Sequence, residues 1–179
     1  MRVPQVSGTD EFIRWEERQE QRYEFADGAI SPFPGATRRH EIIVVNLLVA
    51  LRRSLAANSV CGPGMKLVSD TYSRYPDVSV SFDPRDSAET TKTRYPTLLI
   101  EVLSKSSGAT DRGPKADEYR TLETLREYVL IDSRKRWAQT IRRAGDAWIV
   151  SLPIRADPLR FESVSVSMTF DELYAGTEL

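Results

Sequence analysis

Leu98-Leu99-Ile100-Glu101-Val102-Leu103-Ser104 is a short, almost wholly apolar run, with Pro96 before it and small polar residues after it. A strand buried on both faces has this pattern. A glutamate stands in its middle. On the two-residue period of a strand, Glu101 shares a face with Leu99 and Leu103. A carboxylate buried there is strongly unfavourable unless a cation or hydrogen-bond donor meets it. Glu101 therefore needs a partner elsewhere in the chain, and an ordinary buried salt bridge is the simplest one.

The flanking segments supply candidates. Upstream, Pro76-Asp77-Val78-Ser79-Val80-Ser81-Phe82 alternates strictly, with Val78, Val80 and Phe82 on one face and Asp77, Ser79 and Ser81 on the other. Downstream, Lys105 to Gly113 is small and polar, and Pro114 suits the first turn of a helix reaching about Leu122 or Leu125. Lys115, Tyr119 and Leu122 share one stripe of that helix. A lysine on a core stripe either snorkels or meets an acid. Tyr128 to Ile131 reads as the next strand, so the helix crosses between two strands.

Further out, Thr9 can cap a helix over Asp10 to Glu17, with Phe12 and Trp15 inward, followed by a polar linker over Gln19 to Arg22. Asp27-Gly28 predicts a hairpin with strands near 22–25 and 29–33, closed by Pro32, Pro34 and Gly35. Glu24 points away from the rings of Tyr23 and Phe25. Thr37 can cap a helix running to about Ala57, with Val44, Leu47, Leu48, Leu51 and Leu55 as its apolar stripe and His40 on or beside it. Cys61 to Gly64 reads as a turn, Met65 to Val68 as a strand, Asp70 to Arg74 as a polar connection and Asp83 to Arg94 as a surface loop. Trp137 to Arg142 and Ala147 to Leu152 form a second hairpin, Phe161 to Val166 a further strand, and Met168 to Leu173 a terminal turn or short helix.

The 179 residues fit one domain, 1–179, and suffice for a substantial core. With 25 basic and 26 acidic residues the formal net charge is −1, so any nucleic-acid binding uses a local patch. The single cysteine, Cys61, excludes an internal disulfide and a cysteine metal site. The N-terminus lacks the apolar core of a signal peptide, and the apolar run Ile42 to Leu51 is too short to span a bilayer. A soluble cytoplasmic protein with no membrane partner is the expectation.

Asp77, Glu101 and Lys115 together form a recurring hydrolytic set. Two carboxylates on adjacent strands suit Mg²⁺, a hard cation that keeps several waters. Such a metal lowers the pKa of a bound water and polarises a phosphodiester. The lysine positions the water or steadies the developing charge. Glu24 is a candidate further acid.

In these features the chain resembles the PD-(D/E)XK nucleases and, within them, the Uma-two family. The residues carrying the resemblance are Tyr23-Glu24 with Asp27-Gly28, His40, Pro76-Asp77-Val78, Glu101-Val102-Leu103-Ser104 with Ser106-Ser107, Asp111 and Lys115 with Tyr119, and Glu127-Tyr128 before Ile131-Asp132. It spans about Thr9 to Leu173, and its specificity lies in order and spacing rather than in any single motif. The resemblance implies an α/β, restriction-endonuclease-like fold, a mixed β-sheet flanked by helices with an N-terminal helix and β-hairpin. It also implies Mg²⁺-dependent endonuclease activity (Mn²⁺ substituting), nucleic acid and foremost DNA as partner, and a homodimer, because two strands need two cuts. The Val102 carbonyl is implied as an extra metal ligand. The wider signature places lysine two residues after the glutamate, where this chain has Leu103, and the resemblance implies that Lys115 replaces it. Lys105 stands where relatives often have proline and reads as solvated loop or, as the alternative, as an added phosphate contact.

Each residue also has a plainer reading. Glu101 and Lys115 form a structural ion pair in a non-catalytic nucleic-acid- or protein-binding module. Asp77 is a strand-start residue, and Glu24 faces water. His40 is a hydrogen-bonded helix-start residue bordering the site, Asp111 caps the helix or orients the loop before it, and Tyr119 is core. Arg38, Arg39, Arg52, Arg53, Arg74 and Arg112 are solvated surface or line a DNA groove. RNA is an alternative substrate. One histidine excludes a multi-histidine zinc site. Gly62-Pro63-Gly64 lacks the phosphate-loop ending, and no Gly-x-Ser-x-Gly turn occurs.

Overall fold

The computed structural model describes residues 4–33, 35–56, 59–87, 89–105, 107–152 and 157–179. In chain order its elements are α1 (Thr9–Glu16), the hairpin β1 (Tyr23–Ala26) and β2 (Ala29–Pro32), α2 (Arg38–Ser54), β3 (Val60–Cys61), β4 (Lys66–Val68), β5 (Tyr72–Arg74), β6 (Val78–Val80) and β7 (Lys92–Thr93). Then come β8 (Leu98–Leu103), α3 (Gly108–Arg112), α4 (Pro114–Arg120), β9 (Glu127–Asp132), β10 (Ala138–Ala144), β11 (Ala147–Ser151), β12 (Leu159–Phe161), β13 (Val166–Met168) and α5 (Phe170–Leu173). A six-stranded sheet has the order β11-β10-β9-β8-β6-β3, and a five-stranded sheet the order β2-β1-β5-β4-β7.

All six residues of β8 are buried. It pairs parallel with β9 and antiparallel with β6, so the α3–α4 segment is the crossover that a parallel pair requires. The two faces of this sheet carry different layers. On one, Val78, Val80, Leu98, Ile100, Val102, Val129 and Ile131 pack with α2, β12, β13 and α5. On the other, Leu99, Leu103, Tyr128 and Leu130 pack with Ala116, Tyr119 and Leu122 of the α4 segment and with Leu67 and Tyr72 of the five-stranded sheet. Glu101 belongs to this second face, in the seam between the sheets. α1 covers the five-stranded sheet through Phe12, Ile13, Tyr23 and Phe25.

Several local expectations match the structure. Asp27 and Gly28 turn the first hairpin with φ of 50° and 76°. The Thr37 hydroxyl accepts the His40 N–H at the start of α2, and Val44, Leu47 and Leu51 are buried beneath it. The second hairpin turns at Gly145, and Thr169 caps α5.

Others are corrected. Gly8 caps α1, and the Thr9 hydroxyl donates instead to the Asp70 carbonyl. α2 ends at Ser54; Ala57, like Pro34 and Ser106, lies outside the described residues. The supposed polar connection contains β5, buried along its length, and the loop before β8 contains β7. The segment after Ser104 contains α3. Phe82 is 51% exposed, because β6 pairs with β8 only as far as Val80. Phe161 to Val166 is not one strand: Phe161 ends β12, Val166 begins β13, and between them lie a 3-10 turn at Glu162–Val164 and Ser165 at φ 56°.

One buried acid outside the seam gives a pH signature. Glu127 is fully buried, accepts the Ser163 N–H at 2.9 Å, and has one oxygen without a hydrogen-bond partner. Burial raises its carboxyl above the ordinary range despite that bond. The folded state therefore binds this proton more tightly than the unfolded chain. The stabilisation is complete below the unfolded pKa and is lost as pH rises through the folded value. Glu127→Gln should weaken this pH dependence, and urea melts should show its greatest advantage over the wild type at mildly alkaline pH.

Candidate active site

The register that aligns Val78 with Ile100 carries Asp77, one residue beyond the last pair, across from Glu101. The two carboxylates thus stand on neighbouring strands and face the same seam. Asp77 Oδ2 accepts the Val102 N–H at 2.7 Å and lies 3.2 Å from His40 Nε2. Glu101 Oε1 accepts the Tyr119 hydroxyl at 2.8 Å and lies 3.3 Å from Lys115 Nζ. Asp77 Oδ1 and Glu101 Oε2 take no hydrogen bond among the described residues. Each acid is anchored through one oxygen and leaves the other available.

Helix α4 places Lys115 over this pair. Pro114 at its first turn starts the helix, and the spacing of four puts Tyr119 on the same face. Lys115 Nζ is 3.3 Å from Glu101 Oε1, from Glu24 Oε1 and from Asp111 Oδ1. Asp111 Oδ1 has that ion pair but no hydrogen bond. Glu24 reaches the seam because β1 turns Tyr23 and Phe25 toward α1 and the glutamate the other way. Glu24 also accepts the Tyr75 N–H at 3.1 Å and pairs with Arg74 Nη1 at 3.2 Å.

Arg74 is the functional neighbour that sequence reasoning missed. Of its two readings from sequence, solvated surface fails, because it is buried, while it does line the cavity above these groups. Its Nε and Nη2 clamp both oxygens of Glu118 at 2.8 and 2.6 Å, and it is 6% exposed. The alternation Tyr72-Ser73-Arg74-Tyr75 was the available signal, masked by a charged residue at a buried position.

The electrostatics follow from this crowding. Burial drives the Glu101 carboxyl well above its ordinary range; Lys115 opposes the shift, and Asp111, Asp77 and Glu24 add to it. Burial works against the Lys115 charge, but Glu101, Glu24 and Asp111 prevail and raise its pKa. His40 is raised in the same way, with Asp77 overcoming burial. Tyr119 is raised by burial and by Glu101. Four acids, Glu24, Asp77, Glu101 and Asp111, gather here around one lysine that pairs with all but Asp77, and Arg74 is shared between Glu24 and Glu118.

A cavity of about 670 Å³ opens over these groups. Glu24, His40, Asp77, Glu101, Asp111 and Lys115 all line it, and Val102 lines it beside Asp77. Tyr119 lies behind Glu101, in the core. Lys105 is exposed, as a solvated loop residue is.

The donor set fits a hard divalent cation. Two carboxylate oxygens without protein donors face a water-accessible cavity, in surroundings with an excess of negative charge. Among the described residues, no group of three or more histidine, cysteine, aspartate and glutamate side chains is gathered for a metal. A cation held by Asp77 and Glu101 would therefore draw its remaining ligands from backbone and water. Among the described residues no helix is long and apolar enough to cross a membrane.

Comparison with known proteins places the chain in a family. Residues 9–173 match the family model "Uma2: Putative restriction endonuclease". The chain is 32% identical over 173 residues to "Uncharacterized protein slr1290" of Synechocystis, covering 93% of this chain and 90% of that one. It is also 32% identical over 150 residues to "Uncharacterized protein sll1609" of the same organism, covering 79% and 84%. A crystal structure of "a putative nuclease belonging to DUF820 from Anabaena variabilis ATCC 29413" superposes with a TM-score of 0.76 at 16% identity, covering 93% of this chain and 96% of that one. At that identity the likeness is one of fold.

Proposed function

The chain belongs to the Uma2 family, and on that premise we propose that it is a metal-dependent endonuclease hydrolysing phosphodiester bonds in nucleic acid, DNA foremost. Asp77 and Glu101 hold Mg²⁺, for which Mn²⁺ substitutes, with the Val102 carbonyl as a further ligand. When bound, the metal supplies an acidified water and a polarised phosphate.

The side chains around it have separable tasks. The Val102 N–H and His40 hold Asp77 by one oxygen, and the Tyr119 hydroxyl holds Glu101 by one oxygen. Lys115 stays protonated among its three acids, which suits it to stabilise developing negative charge on the phosphate rather than to abstract a proton. Glu24 and Asp111 fix the ammonium in place. A homodimer would present two such sites to two strands.

The observation that carries this reading is the pairing of Asp77 with Glu101 at the floor of the cavity, each with one oxygen free and Lys115 alongside. A second reading, a non-catalytic binding module, draws on the Lys115–Glu101 ion pair that the structure does contain. That pair is not closed off, because the cavity opens above it. Titration calorimetry with Mn²⁺ separates the two. The nuclease reading expects saturable binding to the wild type that is lost in both Asp77→Ala and Glu101→Ala. A folded wild type that binds no Mn²⁺ would favour the binding module.

A further inference from the structure

The mouth of the cavity carries groups that neither hold the metal nor brace its ligands. Arg22 and Phe33 flank the open end of the first hairpin, where the Phe33 N–H donates to the Arg22 carbonyl at 2.9 Å. Both side chains line the cavity. The Phe33 ring packs against Tyr75 with centroids 5.4 Å apart. Tyr75 is itself fixed, its hydroxyl donating to Glu16 Oε1 at 2.9 Å and its N–H to Glu24. Arg22 lies over the same Tyr75 ring, 5.3 Å from its centroid, and donates through Nη1 to the Pro63 carbonyl at 3.0 Å. Its other guanidinium donors have no hydrogen-bond partner among the described residues. A half-buried aromatic face and a steadied cation thus stand at the entrance, while Asp77, Glu101 and Lys115 lie at its floor, each no more than 6% exposed.

Resting on the nuclease reading, we infer that the site takes unpaired nucleic acid, with Phe33 stacking on a base and Arg22 contacting a backbone phosphate beside the scissile bond. Depth argues for this. The groups at the floor of this cavity of about 670 Å³ are each no more than 6% exposed, so a phosphate must enter the recess to reach them. A nucleotide splayed out of its own stack can do so. Stacking argues for it too, because an aromatic side chain can take a base only once that base has left its own stack. Every base offers a π-face, so sequence preference at this position is weak. The local charge fits as well: with so many acids at the floor, a cationic group at the entrance is needed to attract a polyanion.

The test compares a labelled single-stranded oligonucleotide with its duplex, in Mn²⁺, for the wild type, Phe33→Ala, Phe33→Leu, Phe33→Trp and Arg22→Ala. The single strand should be cut at least about tenfold faster by kcat/KM. Phe33→Ala should raise KM for it roughly tenfold with kcat little changed, in line with the loss of one stacked base. Phe33→Leu keeps apolar bulk against Tyr75 but has no aromatic face, and should behave like Phe33→Ala, whereas Phe33→Trp retains the wild-type KM. Arg22→Ala should raise KM and flatten its salt dependence. Equal cutting of duplex and single strand, with KM unchanged in Phe33→Leu, overturns this inference and leaves the nuclease reading standing. No cutting of either substrate by the folded, Mn²⁺-loaded wild type overturns both.

Discussion

Lys115→Ala should lower cleavage roughly 10²–10³-fold, the loss found when one preorganised donor to a transition-state oxyanion is removed. The ammonium stands 3.3 Å from three carboxylates and has no neutral role to fall back on. The substitution should also destabilise the metal-free protein by about 3–5 kcal/mol, because Glu24, Glu101 and Asp111 are then buried without their shared cation. Mn²⁺ should restore part of that stability, and restore more in the variant than in the wild type, since a bound cation replaces some of the lost charge. Activity should remain low even when Mn²⁺ has refolded the variant. Thermal melts with and without Mn²⁺, alongside single-turnover cleavage, separate the two effects. A variant whose cleavage falls only in proportion to its unfolded fraction would make Lys115 a structural partner and nothing more.

Arg74→Leu should destabilise the fold as strongly as Lys115→Ala. It removes a bidentate clamp on Glu118 and the second cation of Glu24, all in a buried setting. A loss of about 3–5 kcal/mol is expected from stranding buried charges. For a chain of this size that corresponds to roughly 6–20 °C in Tm. Arg74→Lys should rescue little, because a lysine is a point charge and cannot fork across both Glu118 oxygens. Urea unfolding of the two variants checks this, and a rescue by lysine of more than half the loss would show that charge rather than geometry holds the clamp. Arg74 also bounds the active-site acids, so Arg74→Leu should leave Glu24 dependent on Lys115 alone.

These two residues show where sequence reading succeeds and where it stops. Lys115 could be found because a helix stripe of apolar residues makes a lysine conspicuous, and because β8 already demanded a cation for Glu101. Both signals are periodic, and periodicity survives in a bare sequence. The first hairpin was legible for a similar reason, since Asp27-Gly28 supplies two positive φ angles in succession. Arg74 gave the opposite signal. A buried strand that contains an arginine and two tyrosine neighbours looks polar, so β5 reads as connection until Glu24 and Glu118 are seen to come from elsewhere in the chain. Short elements fail differently. β3 and β7 have two residues each, too few for any period, and exist only because a neighbouring strand pairs with them. The turn at Ser165 sits inside an alternating run, and its left-handed residue is not glycine, so nothing local announced it. Asp77 shows the limit of strand reading. Its face was evident, but its position opposite Glu101 depends on the register between β6 and β8, which pairing sets and sequence does not.

In the proposed function, Asp77 and Glu101 form one metal site that cuts nucleic acid. The most direct measurement is cleavage of supercoiled plasmid, single-stranded DNA and RNA in Mg²⁺ or Mn²⁺, by the wild type and by Asp77→Ala and Glu101→Ala of verified fold. The expected result is metal-dependent cleavage of at least one substrate, abolished by chelation and by either substitution. Cleavage that survives in both variants would place the chemistry elsewhere. An inert, folded wild type that also binds no Mn²⁺ would leave Glu101 as half of a buried ion pair.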